Sequence, residues 1–162
     1  MNPSSESGTH EIRKRELGHK HLSGQVIAAA VQVHQALGPG FLESVYEEAL
    51  CIELDFRGIR YERQKSVPLS YRGQPVGEHR LDLLVERVLV VELKAAKTLE
   101  NIFFATTRSY MKAVDVEDGL ILNFATIPLT IKRVGRELGQ TKQRPVQSDN
   151  QEPMNPAPFL SS

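Results

Sequence analysis

Cysteine is almost absent from this chain. Cys51 is the single one among 162 residues, so no internal disulfide can form, and a reducing, cytoplasmic setting is expected. A surplus of charge is missing as well. The 20 basic and 20 acidic residues cancel, which leaves no global field to draw the protein onto nucleic acid or membrane. Any nucleic-acid contact has to come from a local patch. No apolar run approaches the ~20 residues of a membrane span. The N-terminus, with Glu6, Glu11 and Glu16 and no apolar centre, lacks secretory character. What is present is ordinary for a globular protein: 40% hydrophobic and 25% charged residues, enough chain for one domain and too little for two.

Residues 1–21 are polar and aperiodic and read as a disordered tail. His10, His19 and His21 lie in it without cysteine or acid at ligand spacing, which favours a solvated tail over a metal site. From Ser23, a candidate cap, Val26, Ile27, Ala30, Val31, His34 and Leu37 recur at helical spacing. Gly38-Pro39-Gly40 ends that helix. A second helix is expected over 42–57, with Leu42, Val45, Tyr46, Ala49, Leu50 and Leu54 as its apolar stripe. Residues 59–72 read as extended, and Pro68 suggests an edge strand. A third helix is expected over 97–115, followed by strands at 120–124 and 129–134. From Gly139 the chain again reads as a disordered tail, which leaves 22–138 as the folded domain. The element order points to an α/β (α+β) domain with helices on a central mixed sheet.

The most apolar stretch runs from Arg80 to Ala95, yet it contains Asp82, Glu92 and Lys94. Burying a carboxylate costs several kcal/mol unless a partner or a metal compensates it. As a hairpin, the stretch has one face of leucines and valines and another that turns charged at one end. Glu92 and Lys94, two apart, share a face. Asp82 joins them only if the connection is odd or a bulge intervenes. A two-residue turn at Glu86-Arg87 sets Asp82 opposite Val91, whereas a three-residue turn, Glu86-Arg87-Val88, sets it opposite Glu92. In the second case the two carboxylates can share a magnesium or manganese ion, completed by a backbone carbonyl and water. Lys94 would then stabilise charge on a phosphoryl group.

This arrangement resembles the PD-(D/E)XK nuclease superfamily. More narrowly, Gly40-Phe41-Leu42-Glu43-Ser44-Val45-Tyr46 is similar to the signature of the GxxExxY family. Val33-His34, Leu37-Gly38-Pro39-Gly40, Asp82-Leu83-Leu84-Val85, Glu92-Leu93-Lys94-Ala95 and Asn123-Phe124 resemble it in the same order, over residues 22–134. The resemblance implies a restriction-endonuclease-like fold, Asp82 and Glu92 as metal ligands and Lys94 as the catalytic lysine. Glu43 would be an additional acid, with Tyr46 and Tyr110 closing over the site. Thr106 stands where related proteins usually present a glutamine four residues before the tyrosine. The implied activity is magnesium-dependent hydrolysis of phosphodiester bonds in nucleic acid, with DNA the expected substrate.

Other readings of the same residues stay open. Asp82, Glu92 and Lys94 can form an ion-pair ladder on a solvated sheet face. Glu43 suits a first helical turn whatever the function, and Tyr46 and Tyr110 can be core residues. His34 reads as a structural polar anchor and Cys51 as buried and inert. Lys97, Arg108 and Lys112 can meet phosphates or simply solvent. At the level of function, the alternative is a nuclease fold without turnover that binds nucleic acid or a protein partner.

Overall fold

The computed structural model describes residues 4–136, with side chains from residue 8. In chain order the elements are α1 (Ser4–Leu37), α2 (Glu43–Phe56), β1 (Tyr61–Tyr71), β2 (Gln74–Val85), β3 (Leu89–Lys94), α3 (Asn101–Ala113), β4 (Asp118–Asn123) and β5 (Thr130–Gly135). The five strands form one sheet in the order β1-β2-β3-β4-β5. The β1–β2, β2–β3 and β4–β5 pairs are antiparallel, while β3 and β4 run parallel and are joined across α3. This is the mixed sheet flanked by helices that the element order implied, and Pro68 does lie on an edge strand.

Burial explains the layering. β3 is buried on both faces, as expected of a strand covered on both sides. Leu89, Val91 and Leu93 pack with Val26, Ala30, Leu50 and Leu54 on the face covered by α1 and α2. Val90 packs with Leu84, Tyr110, Met111 and Ile121 under α3.

Four expectations shift. α1 begins at Ser4 instead of Ser23, so the stretch up to residue 21 is helical where a disordered tail was expected. From residue 8 to residue 21 it has no apolar stripe and is almost wholly exposed. Continuation from a packed helix, in residues of adequate helix propensity, accounts for it. Ser23 is consequently mid-helix and buried, donating back to the Lys20 carbonyl. On α2 the buried face is Tyr46, Glu47, Leu50, Cys51 and Leu54. Leu42 and Val45 point outward, because an acid, Glu47, occupies a position that a purely apolar stripe would not have included. Finally, Leu81 does not share the layer of Leu83 and Val85 but packs under α3 with Val67. The strand rotates between Leu83 and Leu81, where the ladder lacks a Gln64–Asp82 pair and Gln64 has φ +49°. The tail expected from Gly139 lies outside the described residues.

Candidate active site

The β2–β3 connection is the odd one. Val85 pairs with Leu89, leaving Glu86, Arg87 and Val88 as a three-residue loop. Glu86 and Arg87 both have positive φ, and the Val88 N–H closes the turn on the Val85 carbonyl at 3.0 Å. This parity sets Asp82 across from Glu92. Regular pairing ends one residue earlier, at Leu83–Val91. Beyond it the side chains replace the backbone: the Asp82 N–H donates to Glu92 Oε1 at 3.1 Å, and the Leu93 N–H donates to Asp82 Oδ2 at 2.8 Å. The strands fork there, and the acids stand in the fork. Lys94, on the same face of β3, brings Nζ to 3.7 Å from Glu92 Oε2 and lies over the Phe103 ring of α3.

Two further acids reach the fork from α2. Glu43, in its first turn, accepts from the Ala95 N–H at 3.2 Å, so it is tied to the chain one residue beyond Lys94. Glu47, one turn later, is buried. Its Oε1 accepts from Arg63 Nε at 2.5 Å and its Oε2 from Gln64 Nε2 at 2.7 Å. The same Gln64 nitrogen makes a longer, 3.4 Å contact to Asp82 Oδ1.

The electrostatics follow from this crowding. Burial is the first cause that raises Glu92, to about 8, and the neighbouring Asp82 charge adds to it. Asp82 is raised as well, by burial first, while the Leu93 N–H and Lys94 act against the rise. Tyr110 on α3 is pushed up to about 12 by burial and then by Glu92 and Asp82. It is therefore a proton donor at neutral pH, and its hydroxyl lies 3.3 Å from His79 Nδ1.

Tyr46 is not brought to this group. Its hydroxyl donates to the Gly38 carbonyl at 2.6 Å and accepts from the Phe41 N–H at 3.2 Å. Its ring stacks on Phe124 at 4.4 Å. Tyr46 thus fastens the α1–α2 loop, and through it the start of α2 and Glu43. Asn123 acts similarly behind Lys94, where its amide donates to the Ala96 carbonyl at 2.8 Å and accepts from the Ala96 N–H at 3.1 Å. His34 is buried beside Phe124 with no hydrogen bond to Nε2 among the described residues. Cys51 is buried, and burial raises its thiol.

A family model for the PD-(D/E)XK nuclease superfamily matches residues 20–134, well over half of the chain. The chain belongs to this superfamily. No curated protein matches it. Among solved structures it is similar to one described as "Crystal structure of SSO0001", with 15% identity and a TM-score of 0.48. That likeness covers 75% of this chain and 61% of the other, less than two thirds of its length.

PD-(D/E)XK nucleases in general use a divalent metal ion. The donor chemistry of the fork suits one. Two adjacent carboxylates are withdrawn from water, which raises the proton affinity of both, and the Asp82 charge raises Glu92 further, the condition that a hard cation with oxygen ligands relieves. Among the described residues, no group of three or more His, Cys, Asp or Glu converges to hold a metal. An ion here would therefore take its remaining ligands from backbone carbonyl and water. No helix among the described residues is long and apolar enough to cross a membrane.

Two residues of this acid cluster escaped the sequence reading, Glu47 and Gln64. Glu47 had a usable signal, since it lies four residues after Glu43 and so on the same helix face. Gln64 had none, because its approach depends on an unusual backbone conformation.

Proposed function

We propose that this chain is a divalent-metal-dependent nuclease that hydrolyses phosphodiester bonds in DNA, with Asp82 and Glu92 holding magnesium or, alternatively, manganese. The observation that carries the reading is the odd loop, which puts Asp82 across from Glu92 with Lys94 beside them. A surface ion-pair ladder accounts for it less well, because Glu92 is only 4% exposed and buried carboxylates need compensation.

When bound, the metal supplies Lewis acidity, lowering the pKa of a water and neutralising charge on a phosphoryl oxygen. The remaining work falls to the chain's own groups. The Lys94 ammonium, held between Glu92 and Phe103, can hydrogen-bond the attacking water or a non-bridging oxygen and stabilise the charge that grows as phosphorus becomes pentacovalent. Tyr110 keeps its proton and can donate to a phosphate oxygen from the α3 side. Glu43, fixed to Ala95, adds negative charge at the rim and favours a cation over an anion there. The exposed Lys97, after β3, is available to a neighbouring phosphate. The single buried Cys51 suits a reducing, cytoplasmic setting.

The test is metal titration of wild type and Asp82→Ala, followed by incubation with single- and double-stranded DNA. Wild type should cut with magnesium or manganese, Asp82→Ala should not, and Lys94→Met should cut far more slowly. Absence of both metal binding and cleavage in wild type refutes the reading. One feature favours a second reading, binding without turnover: Thr106, one turn before Tyr110, stands where the resemblance implies a glutamine, and its side chain is too short to reach as that amide would. That reading gives metal and DNA binding with no product.

A further inference from the structure

Gln64 occupies a backbone conformation that a strand residue has no local reason to adopt. Its φ of +49° lies in the left-handed region, which is strained for any residue with a Cβ. It also interrupts the β1–β2 ladder, since Arg63–Leu83 and Lys65–Leu81 pair on either side while Gln64 and Asp82 do not. The sequence around it, Glu62-Arg63-Gln64-Lys65, contains no glycine or asparagine that would suit such a kink. The conformation needs a compensating interaction, and the side chain has one. Its amide nitrogen sits between two carboxylates from different elements, 2.7 Å from Glu47 Oε2 on α2 and 3.4 Å from Asp82 Oδ1 on β2.

We propose that Gln64 is a positioning residue of the acid cluster, whose amide ties Glu47 to Asp82 and fixes the Asp82 carboxylate toward Glu92. The chemistry favours an amide at this place. The two N–H bonds of one NH2 group can serve two carboxylates at once, and being neutral they leave the negative charge of the fork intact. A lysine there would cancel the charge that a divalent cation needs. Asp82 Oδ2 is already held by the Leu93 N–H, so the contact to Oδ1 restrains the one oxygen otherwise free to swing. Arg63 holds the far side of Glu47 and also reaches Glu48 at 2.5 Å. The path therefore runs from α2 through Glu47 and Gln64 to Asp82, and it couples the helix that carries Glu43 to the strand that carries Asp82. Outer partners of this kind orient ligand carboxylates, and their loss commonly weakens metal binding by 10–100-fold.

This inference rests on the metal reading of Asp82 and Glu92, and the experiment separates the two. Two variants are compared with wild type: Gln64→Met, of similar length without a donor, and Gln64→Gly, which keeps the kink without strain. Mn2+ binding is measured by calorimetry, and metal-free crystal structures are determined for all three proteins. The expected result is Mn2+ affinity reduced about 10-fold or more in both variants, with Gln64→Gly at least as heat-stable as wild type. Equal Mn2+ affinity in wild type and both variants overturns the proposal, leaving Gln64 as a bend in the hairpin and nothing more. If wild type itself binds no Mn2+, the metal reading fails, and the structures decide the positioning role. Asp82 and Glu47 carboxylates turned away from their wild-type orientation in both variants support it, and unchanged carboxylates overturn it.

Discussion

Raising the pH of the metal-free protein from about 5.5 to about 7.5 should lower its stability, although most carboxylates act in the opposite sense or not at all in that range. In the folded chain Glu92 is raised to about 8 by burial and by Asp82, whereas an unfolded glutamate titrates near ~4.3. Between those values the folded state holds a proton that the unfolded state has lost. The stability linked to that proton is fully present below the unfolded value and disappears as pH rises through the folded one. One proton limits the slope to about 1.4 kcal/mol per pH unit, so the two-unit interval is worth up to ~2.7 kcal/mol. For a domain of this size that is roughly 8–13 °C in melting temperature. Glu62, Glu78 and Glu86 are lowered, chiefly by Lys65, Ser66 and Arg60 respectively. Their contribution is lost only as pH falls through their own, lower values, outside the interval. The assay is scanning calorimetry in chelator across the interval, for wild type and Glu92→Gln. The variant removes the titrating group and leaves the histidine background common to both, so the difference between the two slopes reports Glu92 together with its interaction with Asp82. Magnesium should flatten the wild-type slope from the alkaline side, because it binds the deprotonated pair. Parallel slopes for wild type and Glu92→Gln, or a wild-type slope that rises relative to the variant, would refute the reasoning.

Three further outcomes are expected. Lys94→Met should reduce cleavage about 100-fold or more while leaving metal affinity within a few-fold, read from single-turnover kinetics and calorimetry. Tyr46→Phe should destabilise the fold by about 1–2 kcal/mol in chemical denaturation, because the Gly38 carbonyl and Phe41 N–H lose their shared partner. Activity per folded molecule should persist, which distinguishes loop fastening from catalysis. Gly119→Ala should destabilise by about 1–3 kcal/mol, since its Cβ would lie 2.8 Å from Met111 Sδ and 3.2 Å from Thr107 Cγ2. The displaced α3 should also weaken the His79–Tyr110 contact, visible in tyrosine and histidine NMR shifts.

The arrangement of the hairpin was legible because strand parity is an integer property. For Asp82 and Glu92 to face one way, an odd loop or a bulge was required, and the structure decides for the loop Glu86-Arg87-Val88. The helix boundary around Gly38-Pro39-Gly40 was equally legible, because proline and glycine act locally. What was hidden depends on tertiary approach. Glu47 could not be separated from a solvated helix acid without knowing that Arg63 and Gln64 come to meet it. Tyr46 was placed on the correct helix face, but the direction of its hydroxyl depends on how the preceding loop folds back over it. The rotation that carries Leu81 into the α3 layer follows from one left-handed residue on a neighbouring strand, which no alternation pattern in β2 reveals. The N-terminal half of α1 lacks the apolar periodicity by which a helix is recognised, so nothing there distinguished it from a tail.

The fork in the sheet has a consequence for how its acids can be studied. Asp82 and Glu92 each accept from the backbone of the facing strand, so their carboxylates are the last rungs of the β2–β3 ladder. Removing either to alanine takes out a reactive group and a structural rung together, and lost cleavage alone does not say which mattered. Asn and Gln retain an acceptor oxygen in the same place. A chain carrying Asp82→Asn or Glu92→Gln keeps the strands joined at the branch point and loses the charge, and Asp82→Asn in addition turns an NH2 group toward the Gln64 amide nitrogen.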